Sequence, residues 1–215
     1  HEIKLAALGK ISDTTLINKL ALECKDPRLR LEAVKLVTDQ NLLYRIALEG
    51  TPEFRKIAMK KLDPGRLAKL AFDFKERPLK LMVVDLLNDQ NELMNIAQHN
   101  DDWDVRKAAF RKLNDNSLDI LSREAKDPAV KLSSNIRLGR TSWSDAFANR
   151  KNPLNHVVGA AALVEDPQPT STDVVEACHN FIKLGDASRI PELVYLLNTY
   201  GDKYLAEDYM NCGQG

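Results

Sequence analysis

Basic side chains are the residues in this chain whose types and spacing could do chemistry. Lys56, Lys60 and Lys61 fall in FRKIAMKKL, and Arg106, Lys107, Arg111 and Lys112 fall in VRKAAFRKL, a near-copy of the same phrase. Gathered on one face, either set would attract an acidic peptide or phosphates. A second series sets a base after an apolar residue, as Leu29-Arg30, Phe54-Arg55, Leu79-Lys80, Val105-Arg106 and Val130-Lys131, at steps of 25, 25, 26 and 25. Trp103 and Trp143 could stack on a base or a ring, and four of the five tyrosines, Tyr195, Tyr200, Tyr204 and Tyr209, crowd the last stretch. Tyrosine pairs an apolar body with a polar tip and favours interfaces, so Tyr204 and Tyr209 join Trp103 as candidate partner-binding residues beside the exposed bases.

Nothing comparable supports catalysis or metal binding. His99, His156 and His179 show no ligand spacing, and the adjacent Cys178 and His179 point in different directions on a helix. No phosphate-binding glycine loop, nucleophile elbow or zinc-protease helix occurs, so no cofactor and no metal are expected. Asp101, Asp102 and Asp104 read as a solvated, cap-rich turn rather than a general acid/base pair.

Composition sets wider limits. The 215 residues are 44% hydrophobic and 29% charged, ordinary for a globular protein. No apolar run is long enough to span a membrane, and the first residues lack a basic-then-apolar leader. Cys24, Cys178 and Cys212 are too scattered for a disulfide framework, which points to a reducing compartment such as the cytoplasm. Because the chain starts at His1, a fragment, a matured form and a tag scar stay open. Basic and acidic residues number 31 each, with an excess of five bases in residues 1–140 and of five acids in residues 141–215. That neutrality argues against a nucleic-acid track, and Leu81, Asp85 and Leu86 interrupt the basic stripe in the third copy.

The elements that must position these bases repeat along the chain. Asp13, Asp39, Asp63, Asp89 and Asp115 recur at steps of 26, 24, 26 and 26, each placed as a helix N-cap. Eight residues after the first four stands an alanine, Ala21, Ala47, Ala71 or Ala97, as closely packed helices require. Each unit therefore reads as a first helix, a short turn and a second helix. Phe54, Ile57, Ala58 and Leu62 give the second helix its amphipathic face, and Pro27, Pro52, Pro78 and Pro128 stand at or near its start. About five such pairs fill residues 1–138. In the fifth the pattern slips, and VKLSSNIRLGR carries two serines where other copies carry apolar or alanine residues. Residues 139–170 read as an irregular connection with one or two helices, a short one before Pro153 and a compact buried one in LNHVVGAAALVED. PQPTST is a loop ending in an N-cap, and residues 171–215 restore one to two pairs within a single continuous domain.

The phrases KLGDASRIPELVYLL, DPRLRLEAVKLV and DDWDVRKAAFRKL resemble those of the HEAT-repeat family, specifically its bacterial short-repeat branch. The resemblance covers most of the chain outside roughly residues 140–170. It implies an all-α, armadillo-like fold, a right-handed α-solenoid of stacked antiparallel helix pairs with second helices on the concave face. It also implies that the ladder Arg30, Arg55, Lys80, Arg106 and Lys131 is structural, each base bonding an acid or a helix carbonyl of a neighbouring repeat. The function it implies is a non-enzymatic scaffold for another protein or a peptide, an acidic one by charge. One HEAT-like group, the alkylpurine DNA glycosylases, supplies the alternative of nucleic-acid binding. An enzyme or lyase subunit would instead need a pocket near residues 140–156, where His156 and Trp143 meet.

Overall fold

The computed structural model describes residues 13–149, 151, 154–164 and 167–183. Among them are thirteen α-helices and no strand: α1 (Thr14–Glu23), α2 (Pro27–Leu36), α3 (Gln40–Glu49), α4 (Pro52–Lys61), α5 (Pro64–Asp73), α6 (Arg77–Leu86), α7 (Gln90–His99), α8 (Trp103–Arg111), α9 (Asp115–Glu124), α10 (Pro128–Arg137), α11 (Trp143–Ala148), α12 (Leu154–Leu163) and α13 (Ser171–Lys183). The described residues are all-α, and consecutive helices pack as adjacent pairs in the manner of a helical repeat. The stretch after Lys183, where further repeats are expected and which carries Tyr195, Tyr200, Tyr204 and Tyr209, lies outside the described residues.

Contacts divide the chain into two units, one of residues up to Ile96 with Asn100–Val105, the other of Ala97–His99 with the residues from Arg106 on. In the first unit α1 pairs with α2, α3 with α4 and α5 with α6. The second helices α2, α4 and α6 are neighbours in one layer, and the first helices α3 and α5 are neighbours in the other. In the second unit α9 pairs with α10, after which the order changes: α10 packs on α12, and the six-residue α11 packs on α13.

The ten-residue helices of the repeat follow from caps at fixed intervals. The carboxylate of Asp13 accepts from the Thr15 and Leu16 amides, and that of Asp39 from Asn41 and Leu42. Asp63 and Asp89 accept from Arg66 and Glu92. These bonds satisfy amides that a helix start leaves without partners. In the fifth copy the cap is Asn114, which accepts from the Ser117 amide, and the expected capping residue Asp115 is the first helical residue. The side-chain amide oxygen one position earlier performs the same capping chemistry, which displaces the aspartate into the first turn, where its charge still suits the helix dipole. Thr170 and Asp173 form a reciprocal capping box before α13, two residues upstream of the end of PQPTST.

Packing repeats with the caps. Ala21, Ala47, Ala71 and Ala97 are all fully buried, and in the second helices Ala33, Ala58, Val83 and Ala109 are too. The next position holds Val34, Met59, Val84 or Phe110, and filling it removes a large apolar side chain from water, a contribution of about 1.5–3 kcal/mol each. The two serines of the fifth copy continue this core rather than ending it. Ser134 occupies the small-residue position, fully buried, with its hydroxyl donating to the Val130 carbonyl; Ser133 donates to Ala129 and Ala160. Helix α10 ends in a turn with Gly139 at φ 67°, where Gly139 and Arg140 donate to the carbonyls of Ile136 and Asn135. The short helix before Pro153 is α11. Helix α12, expected as a compact buried helix, is buried on one face through Val157, Ala160 and Leu163, while Val158 is exposed. Its small residues fit a close approach on one side only.

Candidate binding surface

The bases divide by what their nitrogens touch. Arg30 Nε donates to the Ala21 carbonyl at 2.9 Å, Arg55 Nε to Ala47 at 2.9 Å and Arg106 Nε to Ala97 at 2.8 Å. Each alanine lies in the last turn of a first helix, where carbonyls have no partner within the helix, so the guanidinium caps it and complements the negative end of its dipole. Second bonds fix two of the three. Arg55 also donates to Leu48, and Arg106 pairs through Nη2 with Asp127 at 2.6 Å. The Arg30 and Arg55 guanidinium carbons lie 5.0 and 5.6 Å from the ring centroids of Phe54 and Phe74, at cation–π distance.

The third copy carries Lys80 in place of arginine, and the pattern changes. Lys80 is buried and pairs with Asp101, and the Ala71 carbonyl is taken by Asn100, whose Nδ2 donates at 2.9 Å from the following repeat. Arg77 bridges the carboxylates of Asp102 and Asp104, both at 2.6 Å. The Lys80 hydrogen bond holds the Asp101 carboxyl below its ordinary value, and Arg77 does the same for Asp102 against the opposing push of burial. The aspartates are thus an ion-pair clasp at a helix start. Lys131 is half-buried and forms no side-chain hydrogen bond among the described residues.

Of the other candidates, Lys56 and Lys60 are exposed on α4 and take part in no ion pair among the described residues. Lys61 is half-buried: its ammonium donates to the Lys35 carbonyl, and burial lowers its pKa. In the second unit Arg106 is buried at 8% exposure and belongs to the ladder, Lys107 and Lys112 are half-buried, and Arg111 is exposed. The second-helix layer of α2, α4 and α6 carries half-buried Leu31, Ile57 and Leu81 and exposed Leu36 and Met82 in addition to Lys56 and Lys60. Trp103 is 45% exposed at the start of α8. Trp143 is buried, its indole N–H donating to the Pro167 carbonyl at 2.8 Å, which removes that ring as a stacking platform.

No described contact joins His156 to Trp143, and among the described residues no group of three metal-ligating side chains comes together. No described helix is long and apolar enough to cross a membrane. Cys178 is buried, and burial raises its thiol to about 11. Tyr204 and Tyr209 lie outside the described residues.

Several structural side chains have no place in the repeat phrase. Gln40 spans two units of the repeat, donating to the Lys61 carbonyl at 3.1 Å and accepting from the Asp63 amide at 2.8 Å. Arg137 donates to Phe110 and Leu113 carbonyls with its guanidinium 5.4 Å from the Phe110 ring centroid, and Arg140 reaches Asp119 and Ser122. The only available signal was negative: a last-turn carbonyl without a ladder arginine requires another donor. No family model, no curated protein and no solved structure matches the chain.

Proposed function

We propose that this protein is a non-enzymatic binding scaffold of the HEAT-like kind, a right-handed solenoid of stacked helix pairs whose second-helix face takes an acidic segment of another protein. The observation that carries the reading is the division of the bases. Arg55 is spent on the Ala47 and Leu48 carbonyls, whereas Lys56 and Lys60 project from the same helix into solvent with no ion pair among the described residues. Two unmatched ammonium groups on α4, whose neighbours α2 and α6 expose Leu36 and Met82, suit a ligand that brings carboxylates on an amphipathic body. A set of this size raises association rate and selects charge; the apolar neighbours supply the contact area.

Nucleic-acid binding of the glycosylase type is the second reading, and exposed Trp103 is the observation that favours it. Fluorescence anisotropy with a ten-residue peptide of alternating glutamate and leucine, and with a twenty-base-pair DNA duplex, separates the two across about 20–200 mM salt, over which the Debye length falls about threefold. The scaffold reading expects micromolar peptide binding that weakens with salt and duplex binding at least tenfold weaker, about 1.4 kcal/mol. Duplex binding tighter than peptide binding at every salt overturns it.

A further inference from the structure

A groove of about 540 Å³ opens between the first turns of α2 and α4, lined by Pro27, Arg30, Thr51, Pro52, Glu53 and Phe54. Its volume lies in the range that holds a few side chains of a bound segment. Phe54, 6% exposed, forms the floor, with the Arg30 guanidinium over its ring at 5.0 Å. Pro27, Thr51, Pro52 and Glu53 are exposed at the rim.

Arg30 differs here from the other ladder arginines. Arg55 and Arg106 each use Nε and a terminal nitrogen in hydrogen bonds, but Arg30 uses Nε alone, on the Ala21 carbonyl. Its two terminal nitrogens therefore carry donors with no acceptor among the described residues, at the edge of a mainly apolar hollow. A guanidinium presents such donors in the fork geometry that a carboxylate matches with two parallel bonds. The rim sets a limit on the charge. Glu53 places a second carboxylate beside the groove, so one negative charge is matched by Arg30 and a run of acids or a dianionic phosphate is repelled.

We propose that this groove is a docking site for a partner segment carrying a single carboxylate side chain between apolar residues, the carboxylate on Arg30 and an apolar neighbour on Phe54 and the prolines. The inference rests on the reading of the second-helix layer as a partner-binding surface, but it uses residues other than Lys56 and Lys60. Its test is anisotropy with two fluorescein-labelled octapeptides, identical except that one carries glutamate and the other glutamine between a leucine and a phenylalanine.

The native chain binds the glutamate peptide about tenfold more tightly. Arg30→Lys, which keeps a cation for the Ala21 carbonyl and loses the fork, reduces that preference below about threefold while circular dichroism shows it folded. Glu53→Gln, a substitution at an exposed position, tightens glutamate-peptide binding. Equal binding of the two peptides, no binding of either, or a preference that survives Arg30→Lys overturns the proposal. A preference that survives Arg30→Lys and disappears in Lys56→Glu/Lys60→Glu overturns the groove and leaves the scaffold reading standing.

Discussion

Replacing Arg106 with methionine removes the most fully engaged member of the ladder and should destabilise the second unit by about 3 kcal/mol. The side chain is 10% exposed and makes charged hydrogen bonds to the Ala97 carbonyl at 2.8 Å and to Asp127 at 2.6 Å. Methionine retains most of the apolar stem, so lost packing contributes little. A buried carbonyl left without a donor costs about 1–3 kcal/mol. Asp127, 32% exposed, recovers part of its solvation from water, which places its share near the lower end of the range for a charged bond, about 1.5 kcal/mol. The gap must also depend on pH. Burial pushes the Asp127 carboxyl up, but the Arg106 hydrogen bond, the Ala129 and Val130 amides and the Arg106 charge together hold it below its ordinary value. Stability from a depressed carboxyl is fully present above its unfolded value of about 3.9 and is lost as pH falls through the lower folded value. Wild type therefore loses the Asp127 share in acid, and the difference from Arg106→Met narrows toward the Ala97 share, about 1–2 kcal/mol. Urea unfolding followed by tryptophan fluorescence measures this, because Trp143 is buried in the same unit. A difference below about 0.5 kcal/mol at pH 7, or one unchanged at pH 3, refutes the reasoning.

Two further outcomes follow from the same contacts. Asn100→Asp leaves the Ala71 carbonyl facing an oxygen where Nδ2 now donates, and it should destabilise the first unit by about 2 kcal/mol by urea unfolding, as Asn100→Ala should. Cys178, with its thiol raised to about 11, should resist iodoacetamide at pH 8 in the folded protein and react once unfolded, whereas half-buried Cys24 is modified in both states, read by peptide mass spectrometry.

The phase of the repeat was legible in sequence because close packing leaves a small residue at a fixed step, and Ala21, Ala47, Ala71 and Ala97 are all buried as that step requires. Capping by Asp13, Asp39, Asp63 and Asp89 was legible for a local reason: the bond runs only two or three residues along the chain. What each base touches was less legible. Lys80 aligns with the ladder in sequence, yet its compact ammonium goes to Asp101 and the Ala71 carbonyl is satisfied by Asn100, twenty-nine residues away. The serines of the fifth copy read as decay because a hydroxyl counts as polar. In α10 that hydroxyl bonds the carbonyl four residues back, and the side chain then packs as a small one. The division of Lys56 and Lys60 from Lys61 was not legible, because the three side chains are chemically alike and the Lys35 carbonyl that Lys61 reaches lies twenty-six residues away.

The central claim is that on α4 the ladder base Arg55 holds the fold and the exposed Lys56 and Lys60 hold a partner, and one paired measurement tests it directly. Arg55→Met and Lys56→Glu/Lys60→Glu alter neighbouring residues of α4, and each protein is assayed for urea stability and for binding of the alternating glutamate–leucine peptide. The expected result is a crossed pattern: Arg55→Met loses about 2 kcal/mol of stability, and the lysine reversal keeps stability within about 0.5 kcal/mol while binding falls at least tenfold. A lysine reversal that destabilises as much as Arg55→Met, or that binds the peptide as well as wild type, contradicts it.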